Sequence, residues 1–447
     1  VIVASLLTYV LTTRVERERR PPAVAIAWVL GMVAVPYLSL PLYILFGRRK
    51  LQRHGPHRST LPLGRHWAED LSVSFGLPPA SECRVRMHQD GAASRAALHE
   101  VIAAAESRLD LCTYILGRDL IGREVCAHLE RRVRDGVRVR LMIDGVGAIQ
   151  LPHTVFRDLA HAGVETAVFS PLLARRTSGP RNLRNHRKLV LADDARLWAG
   201  GRNFAAEYFV ATRGRAAWCD LSFDLEGPVA AAAANQFEDD WVASHGKPAT
   251  PLPATDLGSV DRTTGRGFGE HPTQFLPSGP DQTEDTVQAV LLDACFRAER
   301  RLVAVTPYFV PDASLNVALR LAARRGVKID ICLPASSNHI LADFARSRTL
   351  RSLTEAGVTF HLLPYMVHAK GVVLDETLAL CGSPNLDSRS LLLNYESAFL
   401  FYGTAEIDWL ANWIDALIKD SVPYAAQPPA LWRDVAEGLL LTVAYQL

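Results

Sequence analysis

The strongest feature of the hydropathy pattern is an uncharged run of 24 residues from Ala23 to Phe46, AVAIAWVLGMVAVPYLSLPLYILF. That length suffices to cross a bilayer with some tilt. Trp28 and Tyr43 lie towards its two ends, where amphipathic rings favour the interface. Pro36 and Pro41 would break a soluble helix, but membrane helices tolerate proline better. A second apolar run, Val1 to Thr12, is too short to cross alone and is expected to be the remainder of a first span. The stretch GRRKLQRHGPHR after the long run is basic and has no acid, so the positive-inside rule places the rest of the chain in the cytoplasm. No small-residue cleavage site closes the run, so a signal peptide fits poorly. Residues 1–60 are therefore expected to form a membrane anchor, with the span at 23–46.

Past residue 60 the pattern changes to strands alternating with helices. RLDLCTYIL (108–116) predicts a buried strand, DLIGREVCAHLERRVRDG (119–136) a helix ending on glycine, and VRVRLMID (137–144) a second strand. The order returns as a strand over 300–310, a helix over 313–326 and a strand over 327–334. Gly136-Val137-Arg138 matches Gly326-Val327-Lys328, and Ala162-Gly163-Val164 matches Ala356-Gly357-Val358. A repeat this long is a domain duplication rather than a solenoid, and its class is α/β with helices flanking the sheets. The domains are expected at 61–246 and 273–447, the second ending in an amphipathic tail, joined by a Pro-, Gly- and Thr-rich linker at 247–272. Such halves usually pack about a pseudo-twofold axis, as a homodimer would.

Each half carries one polar constellation with the same internal spacing. The first is NHRKLVLADDARLWAGGRN, beginning at Asn185, and the second is HAKGVVLDETLALCGSPN, beginning at His368. LVLAD and RLWAGG predict a hairpin turning at Asp193-Asp194-Ala195, with His186 and Lys188 on one face of the extended segment before it. His368 and Lys370 repeat the arrangement. The chain has only six lysines against 43 arginines, and two of the six hold these equivalent positions. Single HxK strings are commonplace. Two with identical spacing in a duplicated fold are not, and a shared structural turn gives no reason to keep both His and Lys.

Two imidazoles and two ammonium groups at one site suit phosphate-ester chemistry. The lysines and asparagine amides can hold non-bridging oxygens, one imidazole can attack phosphorus, and the other can manage the proton. No metal or other cofactor is needed, because the lysines supply the charge stabilisation. Each imidazole should be oriented by a carboxylate, and Asp220 and Glu396 are the candidates. Composition adds two limits. A formal charge of +2 is unlike a nucleic-acid binder, and seven scattered cysteines without CxxC spacing predict free thiols.

The tandem HxKxxxxDxxxxxxG[GS]xN strings resemble the signature of the phospholipase D superfamily, and over nearly its whole length the chain is similar to bacterial cardiolipin synthases. LYILFGRRKL, DGVG (144–147), RNHRK (184–188), LEGP (225–228), FxxDW (237–241), PSGPD (277–281), TPYFVPD (306–312), VHAK (367–370) and GSPNLDSRSLLLNYE (382–396) carry the likeness. The resemblance implies two pseudo-symmetric phospholipase D-like domains with mixed β-sheets. It implies a phosphatidyltransferase of the inner bacterial membrane that joins two phosphatidylglycerols into cardiolipin and releases glycerol. The motif's catalytic set maps to His186, Lys188, Asp193, His368, Lys370 and Asp375. Within it His186 is expected to attack and His368 to act as acid and then base, while Asp193 and Asp375 are expected to be architectural. Asn203 and Asn385 would help hold the phosphate, and Asp220 and Glu396 would steady the histidines. Hydrolysis, or an acceptor such as phosphatidylethanolamine or serine, is the alternative within the same chemistry. A membrane-tethered nuclease or a non-catalytic scaffold fits less well.

Arg202, Pro384 and Cys219 depart from the family pattern, which bears on acceptor choice rather than on the histidines and lysines. An arginine cluster (Arg175, Arg176, Arg181, Arg184 and Arg187) could draw in anionic headgroups or be solvated loop charge. Glu207 reads as a solvent or capping residue, and Tyr308 and Phe309 as core packing or an acyl entrance. The C-terminal LWRDVAEGLLLTVAYQL could lie on a membrane surface or pack on the core.

Overall fold

The same local signals build each half. Asp119 and Asp312 cap the helices Leu120–Arg134 and Ala313–Arg324 by accepting hydrogen bonds from backbone N–H groups of the first turn. Gly136 (φ 88°) and Gly326 (φ 95°) end them in the left-handed conformation. The following valine N–H then reaches back to Arg132 O (3.0 Å) or Ala322 O (3.2 Å). The chain thus turns directly into Arg138–Asp144 or Lys328–Pro334, each parallel to the strand that preceded its helix. This computed structural model describes residues 1–16, 22–47, 49–50, 66–171, 182–212, 214–245 and 271–443. Most of the expected linker and Arg175, Arg176 and Arg181 lie outside the described residues.

The first sheet runs Arg84–His88, Ser222–Glu226, Arg196–Gly200, Leu189–Ala192, Arg108–Thr113, Arg138–Asp144, Glu165–Phe169. The second repeats that order with Pro272–Ser278, Glu396–Phe401, Leu378–Gly382, Gly371–Leu374, Arg301–Val305, Lys328–Pro334 and Thr359–Leu363. It adds a two-residue strand at each edge, Ser81–Glu82 and Val422–Pro423. Three strands of each set are parallel and the rest antiparallel, so both sheets are mixed. The predicted hairpin is present, with Leu189 opposite Ala199 and Ala192 opposite Arg196. Asp193 and Asp194 turn it with positive φ, as a tight hairpin turn requires. One apolar core draws on both halves, with Phe223 of the first sheet edge-on to Phe399 of the second at 5.1 Å. Burying this shared face makes each half depend on the other.

Two boundaries differ from the sequence expectation. Trp67–Ser74 and Ser81–Glu82, expected in the first domain, belong to the second: Trp67, Ala68 and Leu71 join its core, and Ser81 pairs with Thr273. The expected single span at 23–46 is two helices, Pro22–Ala34 and Pro36–Phe46. Pro36 has no N–H to continue the helix and forces Val35 out of helical geometry (φ −139°, ψ 60°). The chain folds back there, and a Cβ on Gly31 would stand 2.9 Å from Ser39 Oγ. Trp28 and Tyr43 do not mark opposite interfaces; their rings meet at 5.2 Å. Among the described residues no helix is long and apolar enough to cross a membrane. The hairpin nevertheless exposes an apolar surface that includes Ile26, Leu30, Val33, Leu38, Leu42 and Ile44.

The tail helix Leu431–Val443 packs on Ile340–Thr354, where Arg351 meets Glu437 at 2.6 Å, while Leu431 and Trp432 face outwards. All seven cysteines are free thiols.

Candidate active site

His186 and Lys188 lie on the extended approach to Leu189–Ala192, and His368 and Lys370 on the approach to Gly371–Leu374. Each approach is stitched to the other half by a short parallel bridge. His186 N–H donates to Tyr395 O (2.8 Å) and Tyr395 N–H to Arg184 O (2.9 Å). His368 N–H donates to Cys219 O (2.7 Å) and Cys219 N–H to Met366 O (2.9 Å). The residue after each bridging partner is a carboxylate, so the carboxylates are exchanged between halves. Glu396 lies 3.0 Å from His186 Nδ1, and Asp220 lies 2.8 Å from His368 Nδ1. An ionised carboxylate only accepts, so Nδ1 carries the proton and Nε2 keeps its lone pair for chemistry.

Burial sets the electrostatics. It lowers the His186 pKa to about 4 and the His368 pKa to about 3, with the neighbouring lysines adding and the carboxylates opposing. Burial also lowers Lys188 to about 7 and Lys370 to about 8. Burial would raise Glu396, but His186, Lys188 and the Ser383 hydroxyl outweigh it and hold the acid at about 2. Asp220 is likewise lowered, its desolvation outweighed by His368, Lys370 and Arg202. At neutral pH the site therefore holds two neutral imidazoles, two ionised carboxylates and lysines poised to gain or lose a proton. Lys188 Nζ donates to His186 O (2.6 Å), and Lys370 Nζ donates to His368 O and lies 2.8 Å from that ring's Nδ1.

Both histidines line one cavity of about 410 Å³, with Asn203 and Asn385 beside them. Asn203 accepts from Ile115 N–H (3.2 Å) and donates to the Tyr208 hydroxyl (2.9 Å). Asn385 donates to Ser390 Oγ (3.2 Å), while its own buried Oδ1 has no hydrogen-bond partner. The two motif aspartates, in contrast, do not reach the cavity. Asp193 accepts from the N–H groups of Glu106, Ser107 and Arg108 at 2.6–2.8 Å. Asp375 does the same for Glu299, Arg300 and Arg301 at 2.7–3.1 Å. They tie the hairpin turn to the start of the neighbouring strand. Glu207 is half-buried outside the cavity, whereas Tyr308 lines it and Phe309 is core.

An imidazole pair of this kind can form and break a bond to phosphorus between flanking ammonium groups. A family model described as "Cardiolipin synthase, PLD-like domain" matches residues 98–241 and 291–418, the two halves that carry the site. The chain belongs to the phospholipase D-like cardiolipin synthase family. A second model, "Phospholipase D-nuclease N-terminal", matches residues 1–48. Cardiolipin synthase A of Pseudomonas entomophila is 30% identical over 413 residues, spanning 86% of this chain and 84% of its own. That of Pseudomonas aeruginosa is 31% identical over 401 residues, 83% of this chain and 79% of its own. The fold is also that of phosphatidylserine synthase from Haemophilus influenzae (TM-score 0.65, 14% identity), which covers 86% of this chain and 100% of that one.

Several residues of this family site were not legible as such in the sequence. Arg187, grouped with the headgroup arginines, is fully buried and points away from the cavity. It binds Asp240 (2.5 Å), Asp281 (2.9 Å) and Glu396 O (3.1 Å), joining both halves behind the His186–Glu396 pair. Its position between His186 and Lys188, where side chains alternate, was the available signal. Arg202 is also buried. It donates to Asp220 O (2.6 Å), Tyr208 O (3.0 Å) and Gln89 O (2.9 Å), bracing the strand that delivers Asp220. The Gly-Gly against Gly-Ser difference has a cause too. A Cβ on Gly201 would stand 2.2 Å from Asp220 Oδ1, whereas Ser383 in the equivalent place donates its hydroxyl to Glu396.

Proposed function

We propose that this protein is a membrane-associated cardiolipin synthase that transfers a phosphatidyl group from one phosphatidylglycerol to another. The observation that carries the reading is the exchanged pairing of His186 with Glu396 and His368 with Asp220 around one cavity. His186 Nε2 attacks the donor phosphorus, and the bond to the glycerol oxygen breaks as His368 protonates it. A second phosphatidylglycerol enters, His368 takes the proton from its terminal hydroxyl, and that oxygen displaces His186 from phosphorus. Lys188, Lys370, Asn203 and Asn385 hold the non-bridging oxygens, and the bound anion favours the proton on His368 that the empty site does not keep. The exposed apolar face of the N-terminal hairpin supports placement at a lipid surface.

The test is incubation with labelled phosphatidylglycerol in mixed micelles without divalent metal. Cardiolipin with equimolar glycerol is expected. Phosphatidic acid alone would assign hydrolysis, and no lipid turnover would sink both. The lipid–protein adduct trapped in acid-free quench should vanish in His186→Ala; persistence there and loss in His368→Ala would reverse the two roles.

A further inference from the structure

The two motifs share their spacing from histidine to asparagine and make equivalent bonds at each anchor, and this makes their differences informative. Counting from each histidine, Arg184 corresponds to Met366. Counting from each motif asparagine, Arg389 corresponds to Glu207. Counting from each carboxylate, Asn394 corresponds to Trp218. The registers are secured by equivalent bonds, the bridges Asn185–Tyr395 and Cys219–Val367 and the contacts Asn203–Tyr208 and Asn385–Ser390. Arg184, Arg389 and Asn394 all line the cavity with the histidines, whereas Met366, Glu207 and Trp218 do not.

The three are held in place by groups outside the cavity. Arg184 donates to Ser170 Oγ (2.7 Å) and Asp144 (3.3 Å), and Arg389 donates to Asn182 O (2.7 Å). Asn394 Nδ2 donates to Glu396 (3.3 Å), an acceptor that fixes the amide's orientation and leaves its buried Oδ1 with no hydrogen-bond partner. The guanidinium of Arg389 loses affinity for its proton to burial, and Arg184 close by adds to the effect. Two cationic forks and an unsatisfied acceptor oxygen therefore share one flank of a site that is otherwise symmetric.

A symmetric set suffices for the single phosphate that reacts. The reaction proposed above brings a second phosphate, carried by the acceptor three carbons from its attacking hydroxyl. We propose that Arg184 and Arg389 bind the acceptor lipid's phosphate and that Asn394 accepts a hydrogen bond from its glycerol, making this flank the acceptor-specificity site. The inference rests on the synthase reading. Guanidinium forks suit phosphate, and an amide oxygen suits a hydroxyl donor.

The experiment sets phosphatidylglycerol against ethanol as competing acceptors in the same micelles, with phosphatidylglycerol as sole donor. Phosphatidylethanol reports donor cleavage and transfer without an acceptor phosphate; cardiolipin needs both. Arg389→Gln and Arg184→Gln should each lower the cardiolipin-to-phosphatidylethanol ratio about tenfold, as loss of a charge-assisted hydrogen bond implies. Arg389→Lys should fall between these and the wild type, and Asn394→Leu should lower the ratio by a smaller factor. An unchanged ratio in both arginine variants, or equal loss of both products in Arg389→Gln and Arg389→Lys, overturns the assignment. Absence of cardiolipin from the wild type, with phosphatidylethanol still formed, refutes the synthase reading instead.

Discussion

His368 packs against aromatic rings: Tyr208, which lines the cavity, and Trp218, which lies outside it, stand with ring centroids 5.0 and 5.6 Å from the imidazole. Around His186, among the described residues, only Tyr114 does so, at 5.2 Å, and the flank beyond it is arginine and amide. The His186 side chain also keeps 13% of its surface exposed against 5% for His368. The skeleton of histidine, lysine, carboxylate and asparagine is nevertheless the same in both. Duplication supplied two equal chemical groups, and the residues packed around them made the groups unequal. An enzyme that must tell attack from proton transfer, and donor from acceptor, needs that inequality.

The sharpest way to test the comparison is to remove one orienting carboxylate at a time. Glu396→Gln replaces the ionised acceptor of His186 by an amide that can also donate, and Asp220→Asn does so for His368, each with little change in volume. By analogy with buried carboxylates that fix a catalytic imidazole's tautomer, each should lower kcat by about 10³–10⁴-fold. The step affected should differ. Single-turnover quench experiments should find Glu396→Gln slow chiefly in forming the phospholipid–enzyme adduct, and Asp220→Asn slow both in forming and in resolving it, because His368 moves the proton in each step. Identical kinetics in the two variants would break the claim that the histidines have separate tasks.

What the sequence disclosed and what it withheld divide along the same line. The repeat, the strand–helix–strand order and the His/Lys pairs are local patterns, and local patterns are legible: caps, terminal glycines and period-two alternation act within a few residues. The crossing of carboxylates is not local. Asp220 and Glu396 were named, but only the interdomain bridges at Asn185–Tyr395 and Cys219–Val367 decide which histidine each serves. Arg187 illustrates the same limit, since the string RNHRK does not say that its arginine turns inward to Asp240 and Asp281. That the 23–46 run is not one continuous helix was hidden for a different reason. Length and hydropathy measure solvent preference, whereas Pro36 acts on backbone geometry and breaks the run into a hairpin. The asymmetric flank was present in the sequence throughout, but only once equivalent bonds had fixed the register of the two repeats did Arg against Met and Arg against Glu carry meaning.

The symmetric part of the site offers a control. Asp193 and Asp375 each satisfy three backbone N–H groups far from the cavity, so Asp193→Ala and Asp375→Ala should each cost about 2 kcal/mol of stability. Denaturant midpoints should fall in both, while kcat of the remaining folded enzyme changes by less than about threefold. A large kcat loss at unchanged stability would return these aspartates to the chemistry.

The smallest expected effect concerns the lysines, and its sign follows from burial. Lys188 titrates at about 7 and Lys370 at about 8 in the empty site, both below the ordinary lysine value of 10.5. A bound oxyanion returns favourable charge to them and raises both, so binding above neutrality takes up protons. By linkage the affinity must then weaken as pH rises through the window between the empty-site and bound-site values, by at most about tenfold per pH unit for each proton taken up. Tungstate binding followed by calorimetry from pH 6 to pH 9 should be nearly flat at the acid end, begin to decline above about pH 7 and decline more steeply above about pH 8. The heat should vary with buffer ionisation enthalpy in that upper range only. Lys370→Met should remove the uptake that begins nearer pH 8, and Lys188→Met the part that begins nearer pH 7. A flat profile in the wild type would mean that both lysines stay charged without a ligand, and the two flanks would then differ in shape and fixed charge alone.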